Sequence, residues 1–151
     1  RACDTMGYGV PYTEAAMPRS VAGIIYGLQH YSDVPSECLE WHGHNDFYKG
    51  VANAVSAWLY GASGVNCSLL GIGERTGNIP LEAMVFEYAS LRGSLDGMNP
   101  GVITEIADYF KYEMGLSFPM AYDSEGITQL FGIQNFPTSI KFPVAYEKVS
   151  E

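Results

Sequence analysis

Residues 39–50, LEWHGHNDFYKG, gather two histidines, an asparagine and an aspartate into five positions behind an apolar lead-in. In an extended strand, residues two apart project to the same side, so His42 and His44 point together while Gly43 keeps the opposite face clear. Two imidazoles held in this way can reach one cation, and hydrogen-bonded structural histidines are the plain alternative. Asn45 and Asp46 follow at once, at the C-terminal end of the strand, where their side chains can orient the rings by hydrogen bonding.

Two further stretches carry chemistry. In GIGERTGN, residues 71–78, three glycines let the backbone turn tightly, and Asn78 offers an amide oxygen that a hard or borderline cation accepts. The loop is not a phosphate-cradling P-loop, because the Lys-Ser/Thr ending is missing. Its plain alternative is a glycine-rich turn carrying a Glu74–Arg75 ion pair. In CDTMGYGVP, residues 3–11, a strand ends near Thr5, whose hydroxyl can bind a substrate carboxylate; a simple turn is the other reading.

The elements that position these residues are legible from periodicity. Apolar residues recur at helical spacing in Val21, Ile24, Ile25 and Leu28, with Pro18 placed for a first turn. The same spacing recurs in Val51, Ala54, Val55 and Trp58, then in Leu81, Met84, Val85 and Tyr88 behind Pro80, and in Val102, Ile103, Ile106 and Phe110 within residues 101–114. Short strands are predicted ending near Thr5, around Leu39–His44 and around Val65–Leu70, with Gly61 closing the second helix. Strands alternating with helices imply βαβ units and a parallel sheet. Three parallel strands leave two unpaired edges, and a barrel of eight such units removes them by closing, with its active site at the C-terminal ends of the strands. The predicted fold is therefore α/β, a partial TIM (β/α)8 barrel of about three βα units over residues 1–92. A linker, a C-terminal helix and an irregular tail occupy residues 93–151.

Composition excludes several classes of function. The chain of 151 residues is 47% hydrophobic with a net charge of −9 and no Lys/Arg cluster, so nucleic acid is an unfavourable partner. No apolar stretch is long enough to span a membrane and no secretory pattern opens the chain, which predicts a soluble, cytoplasmic protein. Cys3, Cys38 and Cys67 are odd in number and lack CxxC spacing, which points to buried reduced thiols rather than disulfides or a zinc knot. The chain opens at Arg1 and meets its first motif within five residues, as a piece of a longer protein would.

Taken together and in this order, DTMGYGVP, HGHNDFYKGVANAVSAWLYGA and GIGERTGNIPLE resemble the metal-dependent family of 2-isopropylmalate synthase, homocitrate synthase and HMG-CoA lyase. These are divalent-metal (β/α)8 barrels acting on acyl-CoA and 2-oxo acids, and the matching stretches look like their last three βα units. RACDTMGYGVPY, LEWHGHNDF and GERTGNIPLEAMVFEY are most similar to the citrate (Re)-synthase branch. The resemblance implies that His42 and His44 are ligands to manganese, magnesium, cobalt or zinc, and that Asn78 lies at or near the metal. It further implies that Thr5 contacts the 2-oxo acid carboxylate and that Glu74 and Arg75 act at the acyl-CoA end. The implied reaction is an acyl transfer from acetyl-CoA as co-substrate to a 2-oxo acid, oxaloacetate first.

The chain also departs from that family. The Asp-Arg-Glu strand that supplies an aspartate ligand and an arginine is not in this sequence, and no histidine follows His44. The expected consequence is weak metal affinity and no activity in isolation. A second copy or a complementing N-terminal barrel portion is the expected partner. The competing readings are a non-catalytic remnant serving as an assembly partner and a lyase, although GERTGN lacks the cysteine of the lyase loop.

Overall fold

The structure, a computed structural model, describes residues 1–12 and 19–116. Three strands form one parallel sheet in chain order: β1 (Ala2–Asp4), β2 (Glu40–Gly43) and β3 (Gly64–Asn66). Ala2, Trp41 and Val65 stand in one row, and Cys3, His42 and Asn66 in the next. Paired residues share a face and successive residues alternate, so the two rows lie on opposite sides of the sheet.

The first row faces the helices. Trp41, only 1% exposed, packs in a core with Val21 and Ile25 of α1 (Val21–His30), Ala54 and Ala57 of α2 (Gly50–Leu59), and Leu39, Ile79 and Met84. Among the described residues of the first unit no helix layer covers the second row: Cys3 and Glu40 are exposed there, and Glu40 pairs with Arg1. A parallel sheet normally buries both faces. One with helices on a single side and a polar face on the other is an arc of barrel wall, with the polar face turned to the lumen.

Local chemistry sets the helix boundaries. Ser20 caps α1 by accepting from the Gly23 N–H at 3.0 Å. Gly61, at φ +108°, ends α2 as expected, and Gln29 near the end of α1 donates to the Tyr60 carbonyl at 2.7 Å, fastening the two helix ends together. The remaining helices are α3 (Leu81–Arg92) and α4 (Val102–Tyr112). Among the described residues no helix is long and apolar enough to cross a membrane.

The chain divides into two compact units, Arg1–Glu87 and Tyr88–Glu151. In the second, the Tyr88 hydroxyl donates to Asp96 at 2.6 Å, and Ala107 is the buried residue of α4. The expected irregular tail falls mostly on residues 117–151 and, like Pro18, lies outside the described residues.

Three expectations are corrected. The third strand ends at Asn66 rather than running to Leu70, because Ser68 turns away to pair with the segment entering α3: its N–H donates to Ile79 at 3.0 Å and its carbonyl accepts from Leu81 at 2.9 Å. Leu69–Gly71 then form a 3-10 turn with Leu70 at φ +55°. The cysteines are free but not all buried, since Cys3 lies on the lumen face and Cys38 in a surface 3-10 turn (Ser36–Cys38), both exposed. On α3 the residues buried within the first unit are Glu82, Met84 and Phe86, whereas Leu81 is exposed.

Candidate functional site

The ends of the three strands converge through their loops. His42 lies on the lumen side of β2, and His44 follows on the same side one residue past the strand. Gly43 between them is buried, and a Cβ there would stand 3.0 Å from Trp41 Nε1, so the indole occupies the space a side chain would need. The two imidazoles lie with centroids 5.1 Å apart and planes at 88°. Rings sharing one cation at metal–nitrogen distances of about 2.0–2.1 Å have centroids roughly 4.5–5.3 Å apart, an interval that contains this pair.

Asn78 reaches the same place from the third loop. His44 and Asn78 form an isolated antiparallel bridge, with the Asn45 N–H donating to the Gly77 carbonyl at 3.0 Å, and residues opposite each other in such a bridge share a face. The approach needs small neighbours. A Cβ at Gly73 would fall 2.6 Å from the Asn78 side-chain nitrogen, and one at Gly77, whose φ is +98°, would collide with the Gly71 carbonyl.

Three atoms in this cluster are buried without a hydrogen-bond partner: His42 Nδ1, His44 Nδ1 and Asn78 Oδ1. Buried polar atoms are nearly always satisfied, and here three are left open on residues that strand alternation and the His44–Asn78 bridge put on one face. Their donor chemistry, two imidazoles and an amide, fits a divalent cation. None of the three groups is a carboxylate or thiolate, and no group of three His, Cys, Asp or Glu side chains among the described residues could hold a metal.

Arg75 ties the three loops together. It donates from Nε and Nη2 to the two oxygens of Asp46, at 2.7 and 3.1 Å, and from Nη2 to the Thr5 carbonyl at 2.6 Å. The Asp46 carboxyl is held below its usual range chiefly by the Arg75 hydrogen bond, and the guanidinium is raised in turn. Arg75 adopts φ +57°, a left-handed conformation that its three bonds maintain. Glu74 lies 3.6 Å from the guanidinium with its side chain 82% exposed, and Thr5 is exposed at the rim.

Neither Asn45 nor Asp46 orients a ring by a hydrogen bond, which corrects the role expected of them. Asn45 Oδ1 instead accepts from the Gly50 N–H at 3.0 Å, satisfying a free donor at the start of α2. Asp46 is engaged by the guanidinium, whose planar fork matches a carboxylate better than an imidazole does.

Sequence reasoning passed over Glu82. It is 5% exposed, in the first turn of α3; its Oε2 accepts from the Leu70 N–H at 3.0 Å, and its Oε1 is buried with no partner. Burial pushes its carboxyl up. The nearby Cys67 thiol is pushed up to about 11, by burial first and the Glu82 charge second. The available signal was an acidic residue in the first turn of α3, directly ahead of the apolar run Ala83, Met84, Val85 and Phe86.

Comparison with known proteins agrees with this architecture. The HMGL-like family profile matches residues 4–109. The citrate (Re)-synthase of Clostridium kluyveri is 61% identical over 120 residues, which cover 80% of this chain and 26% of that protein. The 2-isopropylmalate synthase of Acidimicrobium ferrooxidans is 36% identical over 101 residues, covering 67% of this chain and 18% of that protein. An HMG-CoA lyase structure from Acenitobacter baumannii, in complex with coenzyme A and 3-methylmalate, superposes with a TM-score of 0.62 at 21% identity over 91% of this chain and 42% of that one. That likeness is one of fold, a TIM barrel of which this chain supplies a part. The chain spans about a quarter or less of the length of these two curated relatives. By the family match over most of its length, and by its three parallel βα units, the chain belongs to the HMGL-like family.

Proposed function

We propose that this chain forms the C-terminal part of the catalytic barrel of a divalent-metal-dependent acyltransferase that joins the acetyl group of acetyl-CoA to a 2-oxo acid, oxaloacetate first, to give citrate. The observation that carries the reading is the trio of buried, unpartnered donor atoms on His42, His44 and Asn78. These residues would hold manganese, magnesium, cobalt or zinc, which when bound supplies Lewis-acid polarisation of the ketone. The 61% identity to a citrate (Re)-synthase favours oxaloacetate over the longer or branched 2-oxo acids of homocitrate or 2-isopropylmalate synthesis.

The chain's own residues have separable tasks. The Thr5 hydroxyl, exposed at the rim, donates to the carboxylate of the 2-oxo acid. Arg75 sets the spacing of the loops that carry Thr5, the histidines and Asn78, and Arg75 and Glu74 serve the acyl-CoA end of the site, a role that the family resemblance supports. Glu74, open to solvent on that loop, is the group available to the thioester side. The outer edges of β1 and β3, unpaired among the described residues, accept a complementing N-terminal barrel portion or a second copy. The reading includes a cytoplasmic location.

The test is free-thiol release from acetyl-CoA with manganese and oxaloacetate. The expected result is no turnover by the chain alone, and turnover once it is mixed with the N-terminal barrel portion of the Clostridium kluyveri relative. Rapid turnover by the chain alone, or a reconstituted barrel that accepts a branched 2-oxo acid in preference to oxaloacetate, would contradict it. A second reading, a non-catalytic assembly partner, is favoured by one observation: the donor set lacks an anionic ligand among the described residues. Under that reading the mixed barrel assembles and releases no thiol.

A further inference from the structure

The loop that delivers Asn78 begins at a strained residue. Leu70 is buried and sits at φ +55°, a conformation that costs a branched side chain and persists only when its surroundings enforce it. Two contacts enforce it. The Leu70 N–H, which would otherwise be a buried donor without a partner, is taken by Glu82 Oε2 at 3.0 Å. The Gly71 N–H returns to the Ser68 carbonyl at 3.2 Å, closing the turn beneath it.

The left-handed turn sets the direction of the next carbonyl. The Gly71 oxygen accepts the Asn78 N–H at 3.0 Å, and Gly77 packs against the same oxygen so closely that no Cβ fits there. Chain connectivity therefore runs from the Glu82 carboxylate to the Leu70 N–H, through one peptide to the Gly71 oxygen, and from it to the Asn78 backbone. The bridge between Ser68 and Pro80 closes the base of the loop just before Glu82, so a residue at the loop's exit pins the turn at its entrance.

We propose that Glu82 is a positioning residue for Asn78: by accepting the Leu70 N–H it fixes the left-handed turn on which Asn78 hangs beside His44. The proposal rests on the reading that His42, His44 and Asn78 hold a cation, and extends that reading to a side chain that touches neither the cation nor the substrate. Burial favours the protonated form of the Glu82 carboxyl, and Oε1 is open to donate in that form, so an amide in its place preserves both the shape and the acceptor. E82Q is thus the conservative variant and E82A the disruptive one.

The test is amide hydrogen exchange on the full chain, paired with manganese titration by EPR. In E82A the amides of Leu70 and Asn78 are expected to lose at least tenfold protection, while those of Ala54 and Ala57 in α2 keep theirs. Manganese affinity is expected to fall by about 10-fold to 100-fold, the usual size of an outer-contact loss. E82Q is expected to retain protection at Leu70 and Asn78, and E82A/N78A is expected to bind no more weakly than N78A. Unchanged protection of Asn78 in E82A would overturn the proposal. Protection lost equally across α2 in E82A would also overturn it, by assigning Glu82 to general stability. The exchange readout needs no metal, so failure of the wild-type chain to bind manganese would overturn the cation reading while leaving the role of Glu82 to be decided by exchange.

Discussion

Arg75 grips Asp46 with two nitrogens, at 2.7 and 3.1 Å across 29 residues of sequence, and the same guanidinium reaches the Thr5 carbonyl at 2.6 Å. One side chain thereby spaces the loops that leave all three strands. A single ammonium cannot reproduce a planar fork with fixed donors. R75K is therefore expected to lower manganese affinity by about tenfold, measured by EPR titration, with little change in the far-UV circular dichroism of α1 and α2. Unaltered affinity would show that the loops hold their spacing without the fork.

The same pair fixes a pH signature. Arg75 depresses the Asp46 carboxyl below its ordinary value of 3.8, chiefly by hydrogen bonding. A depressed acid contributes stability that is present above its ordinary value and lost as pH falls through the folded one. The stability advantage of wild type over D46N is expected to be level from about pH 5 to 7 and to shrink below about pH 4, as followed by urea denaturation. An advantage that grows on acidification would reverse the sign and refute the pairing.

Gly77 and Gly93 both have positive φ, at +98° and +69°, but a Cβ at the first meets the Gly71 carbonyl and at the second meets nothing within 4 Å. G77A is expected to cost about 1–3 kcal/mol and to abolish manganese binding, whereas G93A is expected to cost no more than about 1 kcal/mol. Equal costs in urea unfolding would remove the argument that the loop's closeness, rather than its backbone angle, demands glycine.

Because the donor set of His42, His44 and Asn78 is uncharged, an added negative charge should matter more than geometry. N78D is expected to tighten manganese binding by about tenfold in isothermal titration. Weaker binding by N78D would mean that the amide nitrogen, not the oxygen, faces the cation position.

Much of this arrangement was legible in the sequence because it depends on short-range periodicity. The stripes of α1 and α2, the glycine at position 61, the alternation that sends His42 and His44 to one side of β2, and the parallel order of the strands all follow from spacings of two to four residues. What escaped depends on which distant partner wins a donor or acceptor. The third strand looked longer because nothing local to Ser68 reveals that Ile79 and Leu81 will claim its backbone. Arg75 does pair with its neighbour Glu74, at 3.6 Å, but nothing local to it reveals the tighter partner, Asp46 at 2.7 Å. Asn45 looked free to hold a ring, but the first helical N–H of α2, five residues on, takes its oxygen.

The most direct measurement is electron spin echo envelope modulation of the chain loaded with manganese. Two imidazole nitrogens are expected to couple to the ion in wild type, with one coupling lost in H42A, one lost in H44A, and both lost in the double variant. An ion that shows no nitrogen coupling, or a spectrum indifferent to both substitutions, would mean that the paired rings bind no common metal and would contradict the account at its centre.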